Sequence, residues 1–225
     1  MYKRQEFLQD KKNYDYVDAS TYNTFSGAKA RVDDIYAWCL PNTSSDPSWK
    51  YNSTGAADLQ SKSTEEYSGF GSFVDPDAPM TSQSGNNTVP DYFHNSGNNI
   101  QASVWGRIRN CNDVIYGIEN STLSEEEKNE LLGQVYFFRA WCYYNLVKWY
   151  GGVPIITEVQ EPVAGAITPR STTKACVDFI CEDLERSAQL LASFTENGGW
   201  PSSDFGRVTS GTALALKGRT LLLYA

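Results

Sequence analysis

One histidine in 225 residues is a thin supply for catalysis or metal binding. His94 stands in a polar stretch, so a Ser/His/Asp triad would have to use it, and no second imidazole is there to complete a metal site. The chain carries no H-E-x-x-H, no G-x-S-x-G, no Walker A loop and no EF-hand loop. Gly69-Phe70-Gly71 lacks the third glycine of a dinucleotide loop. There is no C-x-x-C pair among Cys39, Cys111, Cys142, Cys176 and Cys181, and the ordinary reading of these five is buried free thiols acting as small hydrophobes. No apolar run reaches eighteen residues; the stretch from Val135 to Ile156 is interrupted by Arg139, Asn145 and Lys148. Met1-Tyr-Lys-Arg-Gln-Glu leads into charge instead of an apolar h-region, so no signal peptide is read there. Basic residues are also short: 19 against 27 acidic, a net charge of -8. That balance excludes sequence-independent nucleic-acid binding and a polybasic membrane surface.

Aromatics, by contrast, are plentiful, at 13% of the chain. Some keep helical spacing. Val32, Ile35, Tyr36 and Cys39 predict a short amphipathic helix over 27–40. Val104, Ile108, Cys111, Ile115 and Ile118 form one apolar stripe of a helix starting near Gln101, with Asn112 beside it. Ser124-Glu125-Glu126-Glu127 is a strong start signal, because Ser124 can cap and Glu127 can close the box. Leu131, Val135, Phe138, Cys142, Leu146 and Trp149 carry that helix to the stop at Gly151-Gly152 and Pro154. A third long helix is expected over Ser171–Ala192. After a loop over 193–208, a last helix is expected from Thr209 or Ser210 to Ala225. Tyr36, Phe138, Trp141, Trp149 and Phe179 fall at helical positions and read as packing residues.

Residues 41–100 differ. They are rich in Ser, Asn, Gly, Asp and Pro and hold no period, which marks a long irregular loop of the kind that often serves function. The loop nevertheless carries Trp49, Tyr51, Tyr67, Phe70, Phe73, Tyr92 and Phe93. Rings set among Asn, Asp and Gln suit carbohydrate: a flat ring packs on the apolar face of a sugar while polar groups bond its hydroxyls. The same rings could instead pin the loop onto the helices. Asp58, Asp75, Asp77 and Asp91 share the segment, so a carboxylate pair for glycoside hydrolysis stays open on the residues alone.

Four segments then fall into one order: Val104-Trp-Gly-Arg-Ile-Arg-Asn-Cys-Asn112; Gln134-Val-Tyr-Phe-Phe-Arg-Ala-Trp-Cys-Tyr-Tyr-Asn-Leu-Val147; Trp149-Tyr-Gly-Gly-Val-Pro-Ile-Ile-Thr157; and Arg170-Ser-Thr-Thr with Asp183-Leu, followed by Gly206-Arg-Val-Thr and the helix to Ala225. As an ordered set they resemble the SusD/RagB family of outer-membrane nutrient-binding lipoproteins. The resemblance covers residues 101–225 well, 27–40 loosely and 41–100 hardly at all.

The resemblance implies an all-α fold of tetratricopeptide-like helix pairs, carrying the long irregular loop. It implies a non-catalytic protein without cofactor or metal, anchored as a surface-exposed lipoprotein of the outer membrane. It implies delivery of a captured glycan to a SusC-like TonB-dependent transporter, with peptide as an alternative ligand. Family members run to about twice this length, so residues 1–225 are expected to be one N-terminal helical domain cut at its C-terminus, with 41–100 as an insertion. Arg139 and Asn112 are expected to link helices, and Gly206 and Arg207 to start the last one. Binding residues vary within the family; those chosen here are Trp49, Tyr51, Phe70, Phe73 and Tyr92, with Asn52 and Asp58 as hydroxyl partners. A tetratricopeptide-type protein adaptor and a helical glycosidase are the competing readings.

Overall fold

The computed structural model describes residues 19–39, 104–160, 168–196 and 199–225. Among them are helices and connections and no strand, the all-α architecture that the resemblance implies. A 3-10 turn at Ala19–Asn23 leads into α1, Phe25–Cys39. Then come α2, Val104–Glu119; α3, Glu125–Tyr150; α4, Thr173–Leu190; the short α5, Ala192–Glu196; and α6, Ser210–Leu223.

Helix α3 is the central element. The Ser124 hydroxyl accepts from the Glu127 N–H at 3.3 Å, and the Glu127 carboxylate accepts from the Ser124 N–H at 2.9 Å, so the capping box closes as its sequence requires. One apolar stripe was expected along this helix. Instead every residue from 131 to 140 is buried, because α1, α2 and α4 all pack on α3 and leave it almost no solvent face. As α3 advances through Gly133, Arg139 and Tyr143, its partners on α4 retreat through Ser187, Asp183 and Phe179. The two helices are therefore antiparallel, as α2 and α3 are across their short turn. Gly133 allows the close approach: a Cβ there would sit 2.6 Å from Leu191 Cγ.

The stops follow the sequence as well. Gly151 takes φ 68° and its N–H donates to Val147 O, a turn glycine adopts without strain. Thr172 caps α4 by accepting from the Ala175 N–H at 3.1 Å. Several boundaries differ from expectation: α1 begins at Phe25 and α4 at Thr173. Helix α4 ends at Leu190, and its expected tail becomes α5 after a break at Leu191. Gly206 and Arg207 precede the last helix and do not start it; Thr209 is its cap, with Thr212 closing the box. That helix stops at Leu223, where the Tyr224 hydroxyl donates to Val147 O at 3.0 Å.

The core runs through Val32, Ile35, Ile108, Leu131, Phe138, Leu146, Ile180 and Leu184, all at or near zero exposure. Each such side chain contributes about 1.5–3 kcal/mol relative to exposure. Phe138 is fully buried, and Tyr36, Trp141 and Phe179 pack half-buried against the core, as their helical spacing predicted. Cys39, Cys111, Cys142 and Cys176 are buried free thiols, and Cys181 is half-exposed.

Candidate functional site

The seven residues chosen as ligand contacts, Trp49, Tyr51, Asn52, Asp58, Phe70, Phe73 and Tyr92, lie outside the described residues, as does His94. What the described residues give is the frame that carries this segment, and its joints are three arginine clasps.

The first is buried. Arg139 of α3 makes two 2.8 Å bonds to the carboxylate of Asp183 on α4, through Nε and a terminal nitrogen. Its other terminal nitrogen donates to Asn112 Oδ1 of α2 at 3.0 Å. Asn112 then donates to Ile156 O at 3.0 Å. Three helices and the extended segment after α3 thus share one buried polar node. Arg139 and Asn112 were expected to link helices; Asp183 is the anion their charge requires. Burial opposes the charge, but the two hydrogen bonds that Arg139 donates to Asp183 outweigh it and hold the guanidinium charged beyond its ordinary range. Burial pushes the Asp183 carboxyl up, with Arg139 pulling against it.

The second clasp locks the turn after α3. Arg170 donates to Gly152 O at 2.7 Å and to Tyr150 O at 2.6 Å. Ser171 N–H donates to Val153 O beside it. A Cβ on Gly152 would collide with the Ser171 carbonyl, so glycine is needed for the two backbones to meet. The following residues are held by Tyr143, whose hydroxyl accepts from Ile156 N–H at 2.8 Å. Burial pushes that phenol well up.

The third clasp is nearer the surface. Arg207 bonds Asp204 at 2.6 Å, Asp33 of α1 at 2.5 Å and Gln134 of α3 at 3.2 Å. Lys29 reaches Asp204 at 3.2 Å. Tyr36 of α1 accepts from Val208 N–H and donates to Gln134, both at 2.8 Å. Burial raises the Tyr36 phenol to about 12, so it remains a donor at any physiological pH. Trp200, the aromatic of the 193–208 loop, is spent on structure: its indole N–H donates to Val208 O at 2.9 Å and its ring lies 4.2 Å from that of Phe194.

Beside this clasp a cleft of about 530 Å³ opens between the start of α3 and the end of α4, lined by Ser124, Asn129, Glu130, Leu190, Ser193 and Phe194, among others. Burial raises the Glu130 carboxyl, against the pull of Arg207. The cleft has hydroxyl-bonding groups next to a ring, but Glu127 on its wall is committed to the Ser124 cap, and Phe194 packs on Trp200. Two rings face solvent elsewhere, Tyr116 at 68% and Phe205 at 91% exposure. Among the described residues no cluster of His, Cys, Asp or Glu could hold a metal ion, and no helix is long and apolar enough to cross a membrane.

Residues 6–219 match the SusD-like family model described as starch-binding, associating with outer membrane. The chain belongs to the SusD-like family. A SusD-like protein of Bacteroides fragilis is 26% identical, with a TM-score of 0.58 over 92% of this chain and 36% of its own. A SusD-like carbohydrate binding protein from the same species superposes with a TM-score of 0.64 at 19% identity, over 91% of this chain and 38% of its own. SusD-like protein P25 of Formosa agariphila is 26% identical over 113 residues, half of this chain and 20% of that protein. The chain thus spans well under half the length of these relatives. In this SusD-like chain the segments that carry the resemblance are the joints just described: Asn112 and Arg139, the Tyr150-Gly-Gly-Val153 turn with Arg170, and Arg207-Val208. They hold the frame.

Proposed function

We propose that this chain belongs to a non-catalytic surface lipoprotein that captures a glycan and passes it to a SusC-like TonB-dependent transporter. The observation that carries the reading is the family match, because it runs through both the helical frame and the aromatic-rich segment 41–100. Recognition is assigned to Trp49, Tyr51, Phe70, Phe73 and Tyr92, with Asn52 and Asp58 bonding hydroxyls. The aromatics of the described frame are largely committed to packing, and the cleft beside Phe194 has its polar wall partly spent on a helix cap.

Affinity electrophoresis tests this. The chain is run through gels holding different soluble polysaccharides, with Trp49→Ala alongside. Retardation by one glycan, lost or reduced several-fold in the variant, supports the reading. Equal retardation of both moves recognition away from Trp49. Retardation by none, together with binding to a peptide library, replaces glycan capture by peptide capture.

A further inference from the structure

Three thiols meet where α1, α2 and α3 converge. Cys39 is the last residue of α1, Cys111 lies in α2 and Cys142 in α3, each at 0% exposure. Cys39 Sγ and Cys142 Sγ are 3.8 Å apart, in contact. Cys111 stands within hydrogen-bonding reach of Cys39. Packing alone needs only a small apolar group at these positions, and neither the clasps nor the glycan reading uses the sulfur.

We propose that Cys39 and Cys142 form a redox site, oxidised to an intramolecular disulfide by thiol–disulfide exchange with a low-molecular-weight disulfide. The sulfurs would close from contact at 3.8 Å to the bonded separation of about 2.05 Å.

Reaction in the closed helix is slow. Its hydrogen bond with Cys111, with burial adding to it, pushes the Cys39 thiol well up; for Cys142 the bond with Cys39 and then burial do the same. Exchange therefore waits for α1 to open, and Cys39 sits at the helix end, where the last turn frays most readily. In the opened turn its thiolate attacks one sulfur of the donor, breaks the donor's S–S bond and releases one thiolate. The Cys142 thiolate then attacks the Cys39 sulfur of the mixed disulfide and releases the second. Two protein thiols are oxidised, one donor disulfide is reduced to two thiols, and the two protons pass to the leaving thiolates. The new bond links residues 103 apart in sequence, so it removes much freedom from the unfolded chain.

The full chain is incubated with oxidised glutathione at pH about 8 and followed by intact mass and by peptide mapping without reductant. The expected product has lost the mass of two hydrogens and joins the Cys39 peptide to the Cys142 peptide. Its melting midpoint rises on the order of 5–10 °C over the reduced chain. Cys142→Ala is expected to stop at one glutathione adduct on Cys39, and Cys111→Ala to keep the cross-link. A Cys39–Cys111 link, a stable wild-type adduct without cross-link, or five titratable thiols after conditions that oxidise an exposed dithiol control would each overturn the proposal.

Discussion

Arg139 and Arg207 do the same job in opposite settings. Arg139 ties α3 to α4 and α2 from a buried position, with 7% of its side chain exposed and Asp183 at 6%. Arg207 ties the loop before α6 to α1 and α3 at the edge, where Asp33 is 44% exposed and Asp204 21%. The buried arginine has one anion and a geometry that must be met in full. The peripheral one has two anions and an amide, so its partners are partly redundant and water can stand in for the two carboxylates. The same guanidinium is thus a specificity device in one place and a tether in the other.

The largest effect is expected from breaking the buried node. Arg139→Ala leaves Asp183 without its counter-ion and should cost about 3–5 kcal/mol in urea unfolding. Arg139→Met with Asp183→Leu should recover most of that loss. If the double variant is as unstable as the single one, the node contributes more than the pairing of its charges. A smaller loss, about 1–2 kcal/mol, is expected for Arg207→Ala, since both carboxylates are partly solvated and the buried Gln134 keeps its bond from Tyr36. Raised salt should weaken the wild-type Arg207 clasp and leave the Arg139 node almost untouched, which unfolding at two ionic strengths would reveal.

Acid should separate the two clasps by sign. The Asp204 carboxyl is held below the usual carboxylate range by its hydrogen bond from Arg207 and then by Lys29. Its contribution is full above the unfolded carboxylate value of about 3.9 and is lost as pH falls through the lower folded value. Asp183 is shifted the other way by burial, so it takes up its proton no later in the folded state than in the unfolded one and adds no such loss. The stability gap between wild type and Asp204→Asn should therefore narrow below pH about 4. A gap independent of pH would mean that Asp204 acts by hydrogen bonding alone.

The contrast also explains what was legible in the residues. The helices and their caps were, because Ser124 with Glu127 and the stripe through Val104, Ile108 and Cys111 are local signals a few residues long. Asn112 and Arg139 were legible as polar positions beside apolar stripes. Asp183 carries the same signal, an acid between Ile180 and Leu184. Asp33 and Tyr36 gave no hint of Arg207 and Val208, because nothing in a short window speaks of a partner 174 or 172 residues away. Recognition residues were the least legible of all. A ring in an aperiodic segment has no periodic neighbour to say whether it faces core or solvent, and Trp200, which turned inward onto Val208, shows how such a ring can be consumed by structure.

The Arg207 clasp also sets an order of assembly. Helices α2, α3 and α4 join through neighbours in the chain, so they can dock as each is synthesised. Helix α1 gains its bonds from Arg207 to Asp33 and from Val208 to Tyr36 only when residues 207 and 208 have emerged. The first helix made is thus among the last to be locked, and closing that long span is the slow, entropy-limited step. Until then the inward face of α1, Val32, Ile35 and Cys39, lacks its final restraint, so the core stays loosest at its first helix.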